Sequence, residues 1–194
     1  MSYLQEVLIH SPLLADYADC NEGTTDYVIP PLRFALVEKG VYRSGYPNLG
    51  NQQFLERLQL RSVLYLCKEP IREWNRGFIE RNNIELFQLG TDGNKEPFSV
   101  VPLETLKTAL SIILDTRNHP ILIHCHKGTH RTGCLVGCLR KLQQWSLTSI
   151  LSEYQRFAGS KPRLLDQQSI ELFDPTIIDL EGGHLPIWLK SYNI

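Results

Sequence analysis

Apolar runs of strand length alternate with helical patterns along most of the chain. The strand-like runs lie at 34–37, 41–45, 61–67, 84–90 and 120–125. The helical patterns lie at 48–60, 72–83, 101–118, 131–145, 146–157 and 164–174. Because parallel strands are joined through helices, this alternation predicts an α/β fold with a central, mostly parallel sheet flanked by helices.

The length and composition of the chain indicate one domain. Its 194 residues are 42% hydrophobic and 21% charged, which is the balance of a globular chain that can bury a core. The first residues lack a clear period and end in the polar, turn-forming segment CNEGTTD. We therefore expect a loosely attached N-terminal arm at 1–26 and a single compact domain at 27–194.

The net charge and the spacing of the cysteines limit the classes of protein to which the chain can belong. A formal net charge of −1 argues against a nucleic-acid binder with a broad basic surface. The cysteines are odd in number and lack the paired spacing of a disulfide framework or zinc finger; they are Cys20, Cys67, Cys125, Cys134 and Cys138. We find no leader pattern and no apolar run long enough to span a membrane. The prediction is a cytoplasmic protein, with the nucleus left open and the oligomeric state undetermined.

The most informative segment is HCHKGTHRTG at 124–133. It begins with the last two residues of the strand-like run PILIHC and leads into a helix. Ligands of parallel sheets bind beyond the carboxyl ends of the strands, where this pattern places Cys125. Five residues separate Cys125 from Arg131, and Gly128 allows backbone angles that a side chain would resist. Inward-pointing amides and the positive end of the following helix would together bind a phosphate-sized anion.

The residues of this loop suit phosphoryl transfer. A thiol becomes a good nucleophile when it ionises, and a helix N-terminus with nearby cations favours ionisation of Cys125. The planar guanidinium of Arg131 can hold two phosphate oxygens at once. Thr132 can donate a hydrogen bond to the thiolate as it leaves a phosphocysteine. We therefore predict Cys125, Arg131 and Thr132 as catalytic residues.

The residues of the loop also allow two other interpretations. Cys125 could be an ordinary buried cysteine, although its place between a strand, a glycine loop and a helix argues otherwise. His124, His126 and His130 could ligate zinc together with Cys125. A loop this short leaves little room for its side chains to converge on one ion, so we predict neither a metal site nor a cofactor. His124 is expected to have a structural role beneath the loop.

The chain resembles the cysteine-dependent protein tyrosine phosphatase superfamily, and within it the plant and fungal atypical dual-specificity phosphatases. The segments that carry the resemblance are PPLRFALVEKGVYRSGYPN, RSVLYLC, GNKEPF, HPILIHCHKGTHRTGCLVGCLRKLQQWSLTSILSEYQRFA and LDQQSIELFD. The resemblance implies a compact dual-specificity-phosphatase-like fold. It also implies hydrolysis of the β-phosphate of inositol pyrophosphates, with activity on phosphotyrosine peptides or aryl phosphates in some members. Where many relatives have GKHRTG, this chain has Thr129 in place of the lysine, which removes one positive charge.

The remaining candidates concern the substrate and the leaving group. Asp92 lies 33 residues before Cys125, a separation similar to that of the acid loop in this superfamily, and Glu96 is the competing acid. Lys95 is a candidate phosphate contact, and Lys161 and Arg163 could line the rim of the pocket. The other predicted substrate-binding residues belong to the loop; they are His126, Lys127, Gly128, Thr129 and His130. Outside the loop, Cys134 or Cys138 could form a reversible disulfide with an oxidised Cys125 and so act as a resolving thiol.

Three functions remain open at this point. The first is a phosphatase that acts on inositol pyrophosphates through a phosphocysteine. The second keeps the chemistry and takes phosphorylated protein as its substrate. The third is a phosphate-binding scaffold that scarcely turns over, which the complete set of Cys125, Arg131 and Thr132 disfavours. A rhodanese-like sulfur transfer fits the spacing to Arg131 less well.

The role of Asp92 can be tested through the leaving group. A tyrosine oxygen has an ordinary pKa of about 10 and needs a proton to leave, whereas a phosphate, with a last pKa of about 6, leaves more readily. We expect Asp92→Asn to slow aryl phosphate hydrolysis more than diphosphate cleavage, measured as kcat on both substrates. Equal losses on the two substrates would count against Asp92 as the acid.

Overall fold

A five-stranded sheet forms the centre of the molecule in the computed structural model, which describes residues 28–91, 101–180 and 184–190. The strands are β1 (Ala35–Glu38), β2 (Val41–Ser44), β3 (Ser62–Cys67), β4 (Glu85–Thr91) and β5 (Ile121–His124). Their order across the sheet is β1-β2-β5-β3-β4. The pair β1–β2 is antiparallel and the other pairs are parallel. The predicted α/β class with a mostly parallel sheet is confirmed.

Helices cover the sheet and connect its strands. They are α1 (Gln52–Arg57), α2 (Glu73–Arg81), α3 (Leu103–Leu114), α4 (His130–Leu142), α5 (Leu147–Ala158), α6 (Leu164–Leu172) and α7 (Ile187–Lys190) within the described ranges. Short 3-10 turns occur at Leu49–Asn51, Thr116–Asn118 and Pro175–Ile177. None of the helices in the described part of the chain is both long and apolar enough to cross a bilayer.

The central strands are buried because helices pack on both faces of the sheet. On one face, Leu55 of α1 and Phe78 of α2 line a small cavity with Val63 of β3 and Leu122 of β5. On the other face, Leu106 of α3 and Leu135 of α4 meet β3. All six residues of β3 and all four of β5 are buried. This explains why these two strands read as continuous apolar runs rather than as alternating patterns.

The third predicted helix is shorter than its pattern indicated. The prediction was 101–118, but α3 ends at Leu114. Asp115 has an extended backbone, with φ −92° and ψ 109°, and its carboxylate accepts a hydrogen bond from the Arg117 amide at 2.9 Å. A capping aspartate of this kind starts a new turn, so the chain continues as the 3-10 turn Thr116–Asn118.

Candidate active site

The loop after β5 lies at the carboxyl edge of the sheet, between the middle strands. β5 ends at His124 and α4 begins at His130, so Cys125 is the first residue of the connection. Cys125 is only 3% exposed, yet it lines a cavity of about 230 Å³. The sulfur-bearing residue is therefore at the bottom of an opening rather than sealed in the core.

Gly128 is required where the loop touches the end of β2. Its φ is +66°, and a Cβ atom built at this position would lie 2.5 Å from the Gly45 nitrogen and 2.6 Å from the Ser44 carbonyl. Both neighbours are backbone atoms, which cannot rotate away. The loop also bonds to β2 through the Tyr46 amide, which donates to the His126 carbonyl at 3.1 Å. The β2 end therefore fixes the path of the loop.

A buried arginine of β2, Arg43, lies beneath the loop. It is 1% exposed, and its Nη2 donates to the Gly128 carbonyl at 2.9 Å. Its guanidinium carbon lies 3.7 Å from the centroid of the Phe157 ring. Burial lowers the pKa of Arg43 to about 10, with attraction to Glu153 and Cys125 opposing the shift. Arg43 therefore remains charged at neutral pH and favours an anion held in the loop.

The two predicted catalytic residues after the loop belong to the first turn of α4. Arg131 lines the cavity together with Cys125, and its Nη1 donates to the Leu66 carbonyl of β3 at 3.1 Å. Thr132 is completely buried, and its hydroxyl has no hydrogen-bond partner among the described residues. The bond from Thr132 to the Cys125 sulfur thus stays a prediction.

The cavity gathers basic groups from two segments. Its described lining residues are Cys125, His126, Lys127, Thr129, His130, Arg131 and Arg163. Arg163 lies at the N-terminus of α6 and reaches the same opening as the loop. Four of the five loop residues that were predicted to bind substrate line this cavity. The fifth, Gly128, contacts the end of β2 through its backbone. Arg163, which the sequence suggested only as a possible residue of the pocket rim, does line the cavity.

Two histidines of the loop have fixed orientations. His126 stacks on Tyr46, with ring centroids 5.8 Å apart, and its Nε2 lies 3.2 Å from a Glu69 carboxylate oxygen. The Nε2 of His130 lies 2.8 Å from the Lys161 carbonyl, which can only accept, so this nitrogen carries the proton. Lys161 therefore contributes its backbone to the rim of the site.

The comparisons with known proteins decide the family. A model of the tyrosine phosphatase family matches residues 28–191. The chain belongs to the tyrosine phosphatase family.

Several members of the tyrosine phosphatase family are similar over most of this chain. Inositol diphosphatase DSP1 of rice (Oryza sativa subsp. japonica) is 55% identical over 159 residues, which cover 82% of this chain and 70% of the rice protein. The protein named "Probable tyrosine-protein phosphatase DG1060" of Dictyostelium discoideum is 47% identical over 161 residues, which cover 83% and 96%. The core catalytic domain of the PP-IP phosphatase SIW14 from S. cerevisiae, crystallised with citrate, is 49% identical with a TM-score of 0.74, covering 78% and 93%.

Two predicted residues of the tyrosine phosphatase site lie outside the described residues. Asp92, the candidate acid, follows directly after β4, and Lys95 lies three residues later. The competing acid Glu96 belongs to the same segment. The described end of β4 pairs with β3 through Thr91 and Cys67. The roles of Asp92, Lys95 and Glu96 therefore stay predictions from the sequence.

The other cysteines near the tyrosine phosphatase loop are poor nucleophiles. Burial raises the pKa of Cys67, at the end of β3, to about 11, although Arg131 opposes the shift. A hydrogen bond with Cys138, together with burial, raises the pKa of Cys134. Both thiols are therefore protonated at neutral pH. This chemistry disfavours Cys134 as a resolving thiol, since thiolates are the reactive form.

His124 lies beneath the loop in an aromatic cluster. Its ring centroid is 4.9 Å from that of Tyr65 and 5.2 Å from that of Tyr46. Burial lowers the pKa of His124 to about 3, so the imidazole is neutral in the folded protein. In the unfolded chain a histidine has an ordinary pKa of about 6.5. The unfolded state therefore binds more protons than the folded state between these two values.

This difference predicts how stability depends on pH. The contribution of neutral His124 is fully present above pH 6.5 and is lost progressively as the pH falls toward 3. We expect its share of the free energy of unfolding to be about 2 kcal/mol smaller at pH 5 than at pH 7.5. In urea titrations at both pH values, His124→Gln should show the flatter dependence. His184→Gln, which removes an exposed imidazole, should retain the wild-type dependence. If the free energy of unfolding of His124→Gln kept the wild-type dependence on pH, His124 would not be the source of that dependence.

Proposed function

We propose that the chain is a cysteine-dependent phosphatase that hydrolyses the β-phosphate of inositol pyrophosphates without a catalytic metal. The observation that carries this proposal is the cavity with Cys125 at its base and cationic side chains around it. Relatives at more than half identity support the substrate, since rice, Arabidopsis and yeast proteins of this kind are named inositol diphosphatases. The structural likeness to the yeast core supports the same choice.

In the first step, the Cys125 thiolate attacks the terminal phosphorus of the diphosphate. A sulfur–phosphorus bond forms, and the bond from phosphorus to the bridging oxygen breaks. Arg131 and the loop amides hold the non-bridging oxygens, so the phosphoryl group is aligned with the sulfur. The buried guanidinium of Arg43 donates to the Gly128 carbonyl and so places a positive charge beneath the loop that holds the anion. Asp92 donates a proton to the leaving oxygen where the leaving group needs one.

In the second step, water attacks the phosphocysteine. The phosphorus–sulfur bond breaks, inorganic phosphate forms, and Cys125 returns to the thiolate. Thr132 donates a hydrogen bond to the departing sulfur, and Asp92 accepts the proton of the attacking water. Both steps use side chains of this protein alone, which accounts for turnover without a metal.

The chemistry of the cavity lining supports a polyphosphorylated substrate. Its described residues include Lys127, His130 and Arg163 beside the catalytic pair, and they include no Phe, Tyr or Trp. Several cations around one opening favour a ligand with several phosphates, because charge-assisted hydrogen bonds to phosphate are strong. A phosphotyrosine ring would gain most from an apolar slot. Lys95 would add a further phosphate contact from the acid loop.

The second candidate is a protein tyrosine or dual-specificity phosphatase. The name of the Dictyostelium relative, which is 47% identical, favours it. The chemistry at Cys125 would be the same, and only the group that occupies the opening would differ. The scaffold hypothesis receives less support, because the cavity brings Cys125 and Arg131 together as hydrolysis requires.

The thiols support the proposed compartment, which is the cytoplasm. The described cysteines Cys67, Cys125, Cys134 and Cys138 are all free and buried. A reducing compartment keeps such thiols intact, which favours the cytoplasm and leaves the nucleus open.

A comparison of substrates tests the proposed function. We expect faster turnover of a diphosphoinositol polyphosphate than of a phosphotyrosine peptide or inositol hexakisphosphate, with no loss of activity in a chelator. Arg163→Ala should raise KM for the diphosphate by about tenfold, the cost of one charge-assisted hydrogen bond, and leave kcat nearly unchanged. Arg61→Ala, which removes an exposed charge at the opposite edge of the sheet, should change neither value.

Two results would contradict the proposal. Preference for the phosphotyrosine peptide would favour the second candidate. Undiminished hydrolysis by Cys125→Ser would exclude the mechanism for both substrates.

A further inference from the structure

Three potential metal ligands converge beside the phosphate-binding loop. They are the Cys67 sulfur, a Glu69 carboxylate oxygen and a His126 ring nitrogen, and all three atoms lie within 4.8 Å of one another. His126 Nε2 and Glu69 Oε2 lie 3.2 Å apart. Cys67 and Glu69 lie outside the loop, so this set differs from the histidine group considered from the sequence.

The sheet explains why these residues meet. Tyr65 of β3 lies opposite His124 of β5 in a parallel register. Two residues further along, Cys67 and His126 therefore leave adjacent strands at the same edge of the sheet. Stacking on Tyr46 holds the His126 ring in place. The ligand positions are thus set by the same strands that position Cys125.

The cluster is closed on one side and open on the other. Cys67 is fully buried, whereas the side chains of His126 and Glu69 are 37% and 61% exposed. An ion can therefore enter from solvent past Glu69 and His126 and reach the thiol beneath them. This arrangement leaves one coordination position facing the solvent.

The donor set selects zinc among common divalent ions. Thiolate and imidazole are poor ligands for Mg²⁺ and Ca²⁺ and good ligands for Zn²⁺. Binding of Zn²⁺ would displace the proton of the Cys67 thiol, which is released to solvent. Zinc–ligand bonds of about 2.0–2.3 Å place the donor atoms of a tetrahedral site roughly 3.3–3.8 Å apart. The observed separations reach this range with side-chain movements of about 1 Å or less, which rotamer adjustment supplies. Three protein ligands and one open position match the pattern of accessible zinc sites.

We propose that Cys67, Glu69 and His126 bind Zn²⁺, and that the bound ion inhibits the phosphatase. His126 follows Cys125 directly and lines the cavity, so its coordination withdraws one imidazole from the substrate. Cys67 ends β3 and Cys125 directly follows the neighbouring strand β5, so the two thiols lie at the same edge of the sheet. A divalent cation beside Cys67 therefore attracts the Cys125 thiolate and opposes donation of its electron pair to phosphorus.

Metal binding can be measured without any substrate, using Co²⁺ as a spectroscopic probe on the full chain. A thiolate ligand gives Co²⁺ a charge-transfer absorption band, and added Zn²⁺ should remove the band by displacement. We expect Cys125→Ser to retain the band and Cys67→Ser to lose it. Cys134→Ser, which removes a buried thiol outside the cluster, is the matched control and should retain it.

The Zn²⁺ affinities of two variants show whether the ion binds at this cluster or directly at the Cys125 sulfur. In competition with a chromogenic chelator, Cys67→Ser should weaken Zn²⁺ binding by roughly tenfold or more, since even outer-shell substitutions at metal sites cost that much. Loss of binding in Cys125→Ser with full binding in Cys67→Ser would overturn the proposal, because the ion would then sit on the catalytic sulfur. Absence of the cobalt band in the unmodified chain would overturn it as well.

The inhibitory effect rests on the proposed function and is tested with Glu69→Gln. Glu69 is exposed, so its substitution preserves the core while removing one anionic ligand. The Zn²⁺ concentration that halves turnover of an aryl phosphate should rise by roughly tenfold in this variant. An unchanged concentration would show that inhibition arises elsewhere. Because the cobalt measurement involves no turnover, a failure of the proposed substrate leaves the binding result intact.

Discussion

The site depends on the contact between the phosphate-binding loop and the end of β2. Gly128 lies so close to Ser44 and Gly45 that no side chain fits between them. Arg43, buried below, donates to the Gly128 carbonyl and carries a positive charge under the loop. The Phe157 ring and Glu153 offset part of the cost of burying this guanidinium, while its Nε and Nη1 atoms have no hydrogen-bond partner among the described residues. The same charge favours an anion above it, so one residue links the stability of the loop to its chemistry.

The parallel sheet then determines what surrounds that loop. Because β5 lies between β2 and β3, the first residue after β5 is flanked by the ends of both neighbours. Arg43 of β2 and Tyr46, two residues beyond that strand, support the loop on one side. On the other side, β3 provides the Leu66 carbonyl, which accepts a hydrogen bond from Arg131, and the Cys67 thiol. The helices α4 and α6 add the cations, through Arg131 and Arg163. The loop, the first turn of α4 and Arg163 therefore line the opening, while residues of β2 and β3 support the loop.

The sequence predicted the parts of this arrangement that are local in the chain. Continuous apolar runs identified β3 and β5, and the spacing from Cys125 to Arg131 identified the loop, because each pattern is contained within a few consecutive residues. The end of α3 was misplaced because the capping bond of Asp115 overrides the helical period.

The sequence could not predict groups brought together by the fold. Arg43 reads as an ordinary polar residue of a strand until β2 is placed beneath the loop. The set Cys67, Glu69 and His126 depends on strand order, which no local pattern contains. The family resemblance supplied the site of Asp92, whose segment lies outside the described residues.

The central claim is that Cys125 carries the phosphoryl group during turnover. The most direct measurement is mass spectrometry of the protein after its reaction with a diphosphoinositol polyphosphate is stopped in denaturant. We expect one added phosphoryl group on the peptide that contains Cys125, localised to its sulfur. Steady turnover with no phosphorylated peptide, or with the phosphoryl group on another residue, would contradict it.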